Sequence, residues 1–294
     1  MQGTVTYEQI HARLSCETSL PQIPLAALRL NELVDTELIS QDVLRVVASD
    51  PGLTAGLLRS ASSPLYALSP RPISDVRTAL SILGVRGVKS VAMSVLMQSV
   101  AGSISRSSLD AQKFVQHSTF VGIMAKYVFL RRCQMQPVAA TVNPDQVFAA
   151  GILHDLGLGL VAISYPALYG ELETEATGWK IPTWLAFQER FGESILSLTL
   201  TAFQVWKLPA VLGELVSGFD DPSSHPTDPT ACAALAYADW LANLSGFSER
   251  LEPPIYEASQ SVKELVGLPA DEIPGAVQQV VLHTESCMVR SKAA

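Results

Sequence analysis

Residues 114–128 read FVQHSTFVGIMAKYV. Phe114, His117, Val121, Met124 and Val128 recur at spacings of three, four, three and four, which places them on one face of a helix. A half-buried strand would need apolar residues at every second position, and that alternation is nearly absent along the chain. The stretch therefore reads as helix, and it sets an imidazole in line with a core-facing stripe.

The pattern extends in both directions, with helix starts marked by capping residues. Ser40 is placed to cap a helix to about residue 49, and Asp50-Pro51 opens another with proline in its first turn. Ser74 or Asp75 caps a helix that ends near Gly84, a short turn covers 84–87, and residues 88–99 resume a helix. Asp110 caps a long helix to about Arg132, and Asn143-Pro144 starts one that runs through His154 and Asp155. Residues 220–229 (DDPSSHPTDP) read as a loop, and helices are expected near 255–265 and 273–288. The small, polar stretch 101–108 (AGSISRSS) is the best boundary between two lobes. The expected fold is all-α: a multi-helix bundle with an N-terminal helical lobe (14–105) packed on a second helical lobe (106–246), and a C-terminal helical extension (247–294).

Composition narrows the function. Apolar residues make up 48% of the 294 and charged residues 16%, so the chain can bury a large core and is not a disordered one. A formal net charge of −8 disfavours nucleic acid as a partner, because phosphate binding needs concentrated Lys and Arg. Arg131-Arg132 and the group Arg77, Arg86 and Lys89 are too sparse to reverse this and read as solvated helix faces. Cys16, Cys133, Cys232 and Cys287 are far apart in sequence and form no CxxC motif, so they are expected to be reduced and mostly buried. The N-terminus lacks a signal peptide's basic start and apolar run. The apolar stretch 147–163, broken by His154 and Asp155, is expected to be too short and too polar to span a bilayer. A cytoplasmic location without membrane association follows as the expectation.

Two more helices repeat the opening observation. Val147, Gly151, His154 and Leu158 share a face, with Asp155 beside it, and Cys232, Leu235, Asp239 and Ala242 put Asp239 on a core face. A carboxylate facing a core is costly unless it is paired, hydrogen-bonded or metal-bound. His117, His154, Asp155 and Asp239 could satisfy one another by meeting at one point. They would then form an oxygen/nitrogen set suited to one first-row divalent metal ion. The alternative is that each finds its own separate partner; spacing does not choose between them. His11, His225 and His283 have no acidic or histidine partner at ligand spacing, and His225 is expected to be exposed.

The residues around these positions resemble a known family. Phe114-Val115-Gln116-His117-Ser118, then Ala149 through Gly157 (AAGILHDLG), then Ala238-Asp239-Trp240-Leu241-Ala242 look like the His, His-Asp, Asp series of the HD superfamily. In the N-terminal half, residues 20–24 (LPQIP), 49–54 (SDPGLT), 57–66 (LLRSASSPLY) and 73–84 (ISDVRTALSILG) resemble the HDOD signature. Trp206-Lys207-Leu208-Pro209 is similar to that family's W-x-L-P turn. The likeness covers roughly residues 14–246.

The resemblance implies an HD-like helical lobe packed on an N-terminal helical lobe, and a bacterial signal-transduction role as a scaffold or output module without demonstrated hydrolase activity. Hydrolytic relatives often carry a phosphate-binding Lys soon after the His-Asp pair; here the segment is Gly157-Leu158-Gly159. Two-metal relatives add histidines at positions that correspond here to Ile195 and to Phe219-Asp220, neither of which offers an imidazole, and no G-Y-P element is present. The expectation is a non-catalytic regulator with no catalytic residues, acting on signalling proteins. One divalent ion (Fe, Mn or Mg) would be held by His117, His154, Asp155 and Asp239. The alternative is a mononuclear phosphohydrolase acting on a nucleotide or another phosphate ester. Partner, signal and oligomeric state are not fixed by the sequence.

Overall fold

Helix starts in this protein are set by short polar side chains that accept from amides a helix leaves orphaned. The structure, a computed structural model, describes residues 5–32, 41–62, 73–136, 142–225, 228–247 and 257–289. The N-terminal part holds α1 (Tyr7–Leu14), α2 (Leu25–Glu32), α3 (Gln41–Ala48), α4 (Pro51–Ala61) and α5 (Val76–Gly102). Thr6 caps α1, Asp50 caps α4 by accepting from Leu53 N, and Asp75 caps α5 by accepting from Thr78 N. The central part holds α6 (Ala111–Met135), α7 (Pro144–Leu153), α8 (Leu156–Ser164), α9 (Pro166–Trp179) and α10 (Thr183–Phe191). The rest is α11 (Ile195–Val205), α12 (Ala210–Ser217), α13 (Pro229–Leu244), α14 (Gln260–Val266) and α15 (Ile273–Val289). Short 3-10 turns lie at Glu17–Ser19 and Pro222–Ser224, and no strand occurs among the described residues. The all-α expectation holds.

Several boundaries match the sequence reading, and others move. Asp110 and Asn143 cap α6 and α7, Asn143 within a capping box completed by Gln146. Helix α5 bends at Gly84 (φ 65°, ψ 172°), where a turn was expected, then continues to Gly102. The expected single helix through His154 and Asp155 is instead two helices, with that dipeptide at the junction. The W-x-L-P turn joins α11 to α12, with Lys207 at φ 52°. The Ser40 cap, residues 63–66 of the signature and the helix start expected at residue 255 lie outside the described residues.

One connected apolar core runs from Ile10 in α1 to Val280 in α15. Helix α5 packs against α2, α3 and α4 and also against α6, α7 and α8. Lys126 on α6 pairs with Asp145 on α7 at 2.7 Å, and Ser90 on α5 donates to the same carboxylate at 3.4 Å, so three helices share one polar tie. Helices α6 and α7 cross at glycines. A Cβ placed on Gly151 would stand 2.7 Å from the Gly122 Cα, closer than packed atoms allow, so any side chain there would push the helices apart.

The segment Pro144–Ser164 has 21 residues and a mean hydropathy of 1.8, enough by length and composition to cross a membrane. This corrects the expectation that it is too short and too polar. Its burial assigns it to the core: 78% of its most apolar window lies inside the fold. The paired arginines are also not merely solvated. Arg131 donates to both Glu272 carboxylate oxygens at 2.7 Å, and Arg132 Nε donates to Leu265 O at 3.0 Å, tying the C-terminal helices to α6. Among the cysteines, Cys16 is exposed, Cys133 half-buried and Cys232 buried. Burial, helped by the charge of Asp228, pushes the Cys232 thiol up to about 12 and leaves it inert at neutral pH.

Candidate metal centre

Two of the four side chains come from unbroken helices. His117 lies on α6 and Asp239 on α13, each with its side chain on the buried face that periodicity assigned. The other two come from the α7–α8 junction. Successive residues of a helix point about 100° apart, so neighbours cannot both aim at one spot while the helix continues. Asp155 leaves helical geometry (φ −93°, ψ 13°), and this lets His154 and Asp155 face the same point.

The four side chains meet. His117 Nε2 lies 3.2 Å from Asp239 Oδ1 and 3.3 Å from Asp155 Oδ2. His154 Nε2 lies 3.2 Å from Asp155 Oδ2 and 3.7 Å from Asp239 Oδ1. The two Nε2 atoms are 3.4 Å apart. The centre is nearly closed: side-chain exposure is 2% for each histidine, 8% for Asp239 and 15% for Asp155.

Backbone carbonyls settle the histidine tautomers. His117 Nδ1 is 2.8 Å from Phe247 O, and His154 Nδ1 is 2.9 Å from Gly151 O. A carbonyl oxygen can only accept, so both Nδ1 atoms carry their protons and donate, and both Nε2 atoms turn to the centre. This is the orientation in which metal-ligating imidazoles are held by their outer partners. The contacts between these side chains run from 3.2 to 3.7 Å, close enough for several of them to reach one ion. Among the described residues, His117, His154 and Asp239 form a group whose ligand atoms all lie within 4.8 Å of one another, and it could hold a metal ion. Asp155 Oδ2 lies beside this group, within 3.3 Å of both imidazoles.

Without an ion, the four groups satisfy one another as charges. Burial alone would push the imidazole of His154 down, but Asp155 and Asp239 overcome it and raise it to about 10. His117 is likewise raised well above its ordinary value against the pull of burial, through Asp155 and Asp239. Burial would raise Asp155 and Asp239, yet the two imidazoles hold both carboxyls below the usual range.

Residues beyond these four complete the site, and Thr199, Asn243 and Phe247 among them were not singled out by the sequence reading. Thr199 on α11 accepts from Gly157 N at 2.9 Å and donates to His154 O at 3.2 Å. Asn243 donates to the Asp239 carboxylate at 3.3 Å and to its carbonyl at 2.9 Å. The Asp239–Asn243 spacing of four on one helix was a readable signal. Phe247, beyond α13, supplies the carbonyl for His117, and its ring stacks on Phe120 at 5.0 Å. The ring of Phe219 stacks on His154 at 5.5 Å and 17°. Leu158 and Ile195 are buried apolar side chains, at 1% and 3% exposure. His11 and His283 take no part in the centre, and neither does His225, which is half-buried beside Gly218 rather than exposed.

Comparisons with other proteins agree with this architecture. The chain is similar to an HDOD domain protein of unknown function from Geobacter sulfurreducens, with 23% identity, 97% of each chain covered and a TM-score of 0.69. A protein from Marinobacter aquaeolei provisionally named for signal transduction shares 19% identity at a TM-score of 0.71; 97% of this chain aligns with 64% of that one. A protein from Shewanella amazonensis provisionally named a phosphohydrolase shares 20% identity over 94% of this chain and 95% of its own, at a TM-score of 0.66. At these identities the likeness speaks for the fold. No curated protein matches the chain. The family model described as the HDOD domain matches residues 20–222, and Asp239 and Phe247 lie beyond that span. With well over half of its length matched, this chain belongs to the HDOD domain family.

Proposed function

We propose that this protein is a non-catalytic regulatory module of bacterial signal transduction, acting in the cytoplasm by binding signalling proteins. The observation that carries the reading is the closure of the centre. Both imidazoles are 2% exposed, and the Phe219 ring lies flat against His154. A phosphate-ester hydrolase must admit the phosphoryl group beside the attacking oxygen and neutralise the charge that develops there. Here the first candidate for charge neutralisation, Leu158, is apolar and buried, and Ile195 cannot ligate a second ion. The formal charge of −8 supports partners other than nucleic acid. The domain limits proposed are 14–105 and 106–246 for the two lobes, with 247–294 as an extension.

His117, His154, Asp155 and Asp239 would hold one divalent ion. Two imidazoles and two carboxylates suit iron or manganese better than magnesium, which prefers oxygen ligands and retained water. When bound, such an ion supplies Lewis acidity and a cross-link between α6, the α7–α8 junction and α13. In a shut centre its contribution is stability by mass action.

The test compares wild type with a His154→Ala, Asp155→Ala double variant on cyclic dinucleotides, nucleoside monophosphates and an aryl phosphate, with manganese, iron or magnesium added. Equal background rates, with only stability lower in the variant, are expected. Multiple turnovers by wild type that vanish in the variant would overturn the regulatory reading. A second reading, a mononuclear phosphohydrolase acting on a nucleotide or another phosphate ester, is favoured by one observation. Asp155 is the most exposed of the four, at 15%, and brings the centre nearest to solvent.

A further inference from the structure

Helices α7 and α8 are separated by a break of two residues, and the break costs the backbone two hydrogen bonds. In a continuous helix, Leu158 N would donate to His154 O and Gly157 N to Leu153 O. Leu158 N donates instead to Asp155 O at 3.0 Å. The His154 carbonyl and the Gly157 amide thus lose their helical partners in a place where neither residue reaches solvent, and orphaned buried backbone groups are costly. One side chain answers both. The Thr199 hydroxyl accepts from Gly157 N at 2.9 Å and donates to His154 O at 3.2 Å. Thr199 is itself fully buried, and α11 presses close: a Cβ on Gly157 would lie 2.6 Å from Ile195 O and 2.9 Å from Thr199 Oγ1.

We infer that Thr199 is a positioning residue of the imidazole–carboxylate centre, a hydroxyl splint that holds the α7–α8 break open so that His154 and Asp155 face one point. A hydroxyl suits the task because one atom both accepts and donates. A valine of the same shape can do neither. Thr199 touches none of the four central ligand atoms, so its effect is transmitted through the backbone of the dipeptide. The inference rests on the metal-centre reading above, but its test does not depend on that reading alone.

The experiment uses the full chain as wild type, Thr199→Val, Thr199→Ser and Thr201→Val. Thr201 lies on the same helix with its hydroxyl on Ser197 O, away from the break, and controls for loss of a buried hydroxyl. Manganese binding is read by calorimetry, and the His154 and His117 ring nitrogens by 15N NMR of the metal-free protein. Thr199→Val is expected to weaken manganese binding about tenfold or more, the effect typical of lost outer-shell support. Thr199→Ser should return to within about threefold of wild type, and Thr201→Val should bind as wild type does. Thr199→Val should also shift the His154 nitrogen signals and leave those of His117 in place. If Thr199→Val does not fold, Thr199→Ala, which leaves room for a water, carries the same comparison. Wild-type affinity together with unmoved His154 signals in the valine variant would overturn the inference, as would an equal loss in Thr199→Ser or in Thr201→Val. Should wild type bind no manganese, the metal reading fails, and the His154 signals alone decide the role of Thr199.

Discussion

The centre draws its four side chains from two kinds of backbone. On one side, α6 and α13 run unbroken and each contributes a single residue, His117 or Asp239, from a stripe spaced at three and four. On the other, the α7–α8 junction contributes two consecutive residues from a break. An unbroken helix delivers a ligand at no conformational cost, but only one per turn on a given face. A broken helix delivers two neighbours to one point, and it needs an outside partner for the groups it exposes. That partner is Thr199, which serves the Gly157 amide and the His154 carbonyl, while the His154 ring is held from within α7 by Gly151 O. The difference teaches that on intact helices the backbone alone turns a side chain inward, with a remote partner needed only for its ring, whereas at the break the backbone itself depends on a helix far away in sequence.

The largest effect should come from the intact side. Asp239 is more deeply buried than Asp155 and faces both imidazoles. Asp239→Asn strands buried positive charge and should cost the metal-free protein about 3–5 kcal/mol in urea unfolding. Asp155→Asn, at the more exposed carboxylate, should cost less. The reverse order would break the comparison. Either substitution should abolish tight manganese binding.

Next in size is Gly151→Ala. The added methyl would meet the Gly122 backbone at 2.7 Å, so the α6–α7 crossing must widen. A cost of about 1–3 kcal/mol is expected from overpacking. Manganese binding should weaken in step, because the same crossing brings His117 to His154. Undiminished affinity would show that the intact and broken sides adjust independently.

A pH series sharpens the comparison without mutation. The histidines are raised above their ordinary 6.5, so their contribution is full below that value and fades as pH climbs, for His154 through about 10. The carboxylates are held below their ordinary 3.8, so theirs is full above it and is lost as pH falls. The metal-free protein should therefore be most stable between about pH 4 and 6.5. A metal ion displaces the Nε2 protons, so its binding strengthens with rising pH. Thermal melts with and without manganese should show the optimum moving upward when the ion is added; an optimum that stays fixed would argue against ligation by these imidazoles.

The smallest effect is expected far from the centre. Arg131→Ala removes a bidentate pair with Glu272 that is about one-third exposed. The loss should be under about 1 kcal/mol, with manganese binding unchanged. A matching loss of affinity would mean that the C-terminal helices, and not only Phe247, support His117.

Much of this was legible beforehand, for a specific reason. Periodicity at three and four reports which face of a helix is apolar, and it placed His117, His154 and Asp239 inward. The caps Asp50, Asp75, Asp110 and Asn143 announced their helices because capping is a contact within three residues. Asn243 was readable in principle, one turn from Asp239. The break at His154–Asp155 was not, since neither residue forbids helix, and the expected helix ran through it. Nor did sequence reveal that Phe219 lies on His154, since its own helix neighbourhood holds no trace of that ring's partner.

By itself, then, the sequence determined that the chain is helical, where the helices capped by Asp50, Asp75, Asp110 and Asn143 begin, and that two imidazoles and a carboxylate turn away from water. Only the tertiary structure decided that they meet, that Asp155 joins them through a break, and that the centre is shut. The physical reason is range. Helix and cap are fixed by hydrogen bonds three or four residues long, written in adjacent letters. The meeting point is fixed by the close crossing of α6 on α7, by Thr199 reaching His154 across 45 residues, and by the Phe247 carbonyl reaching His117 across 130, and no local pattern encodes contacts of that length.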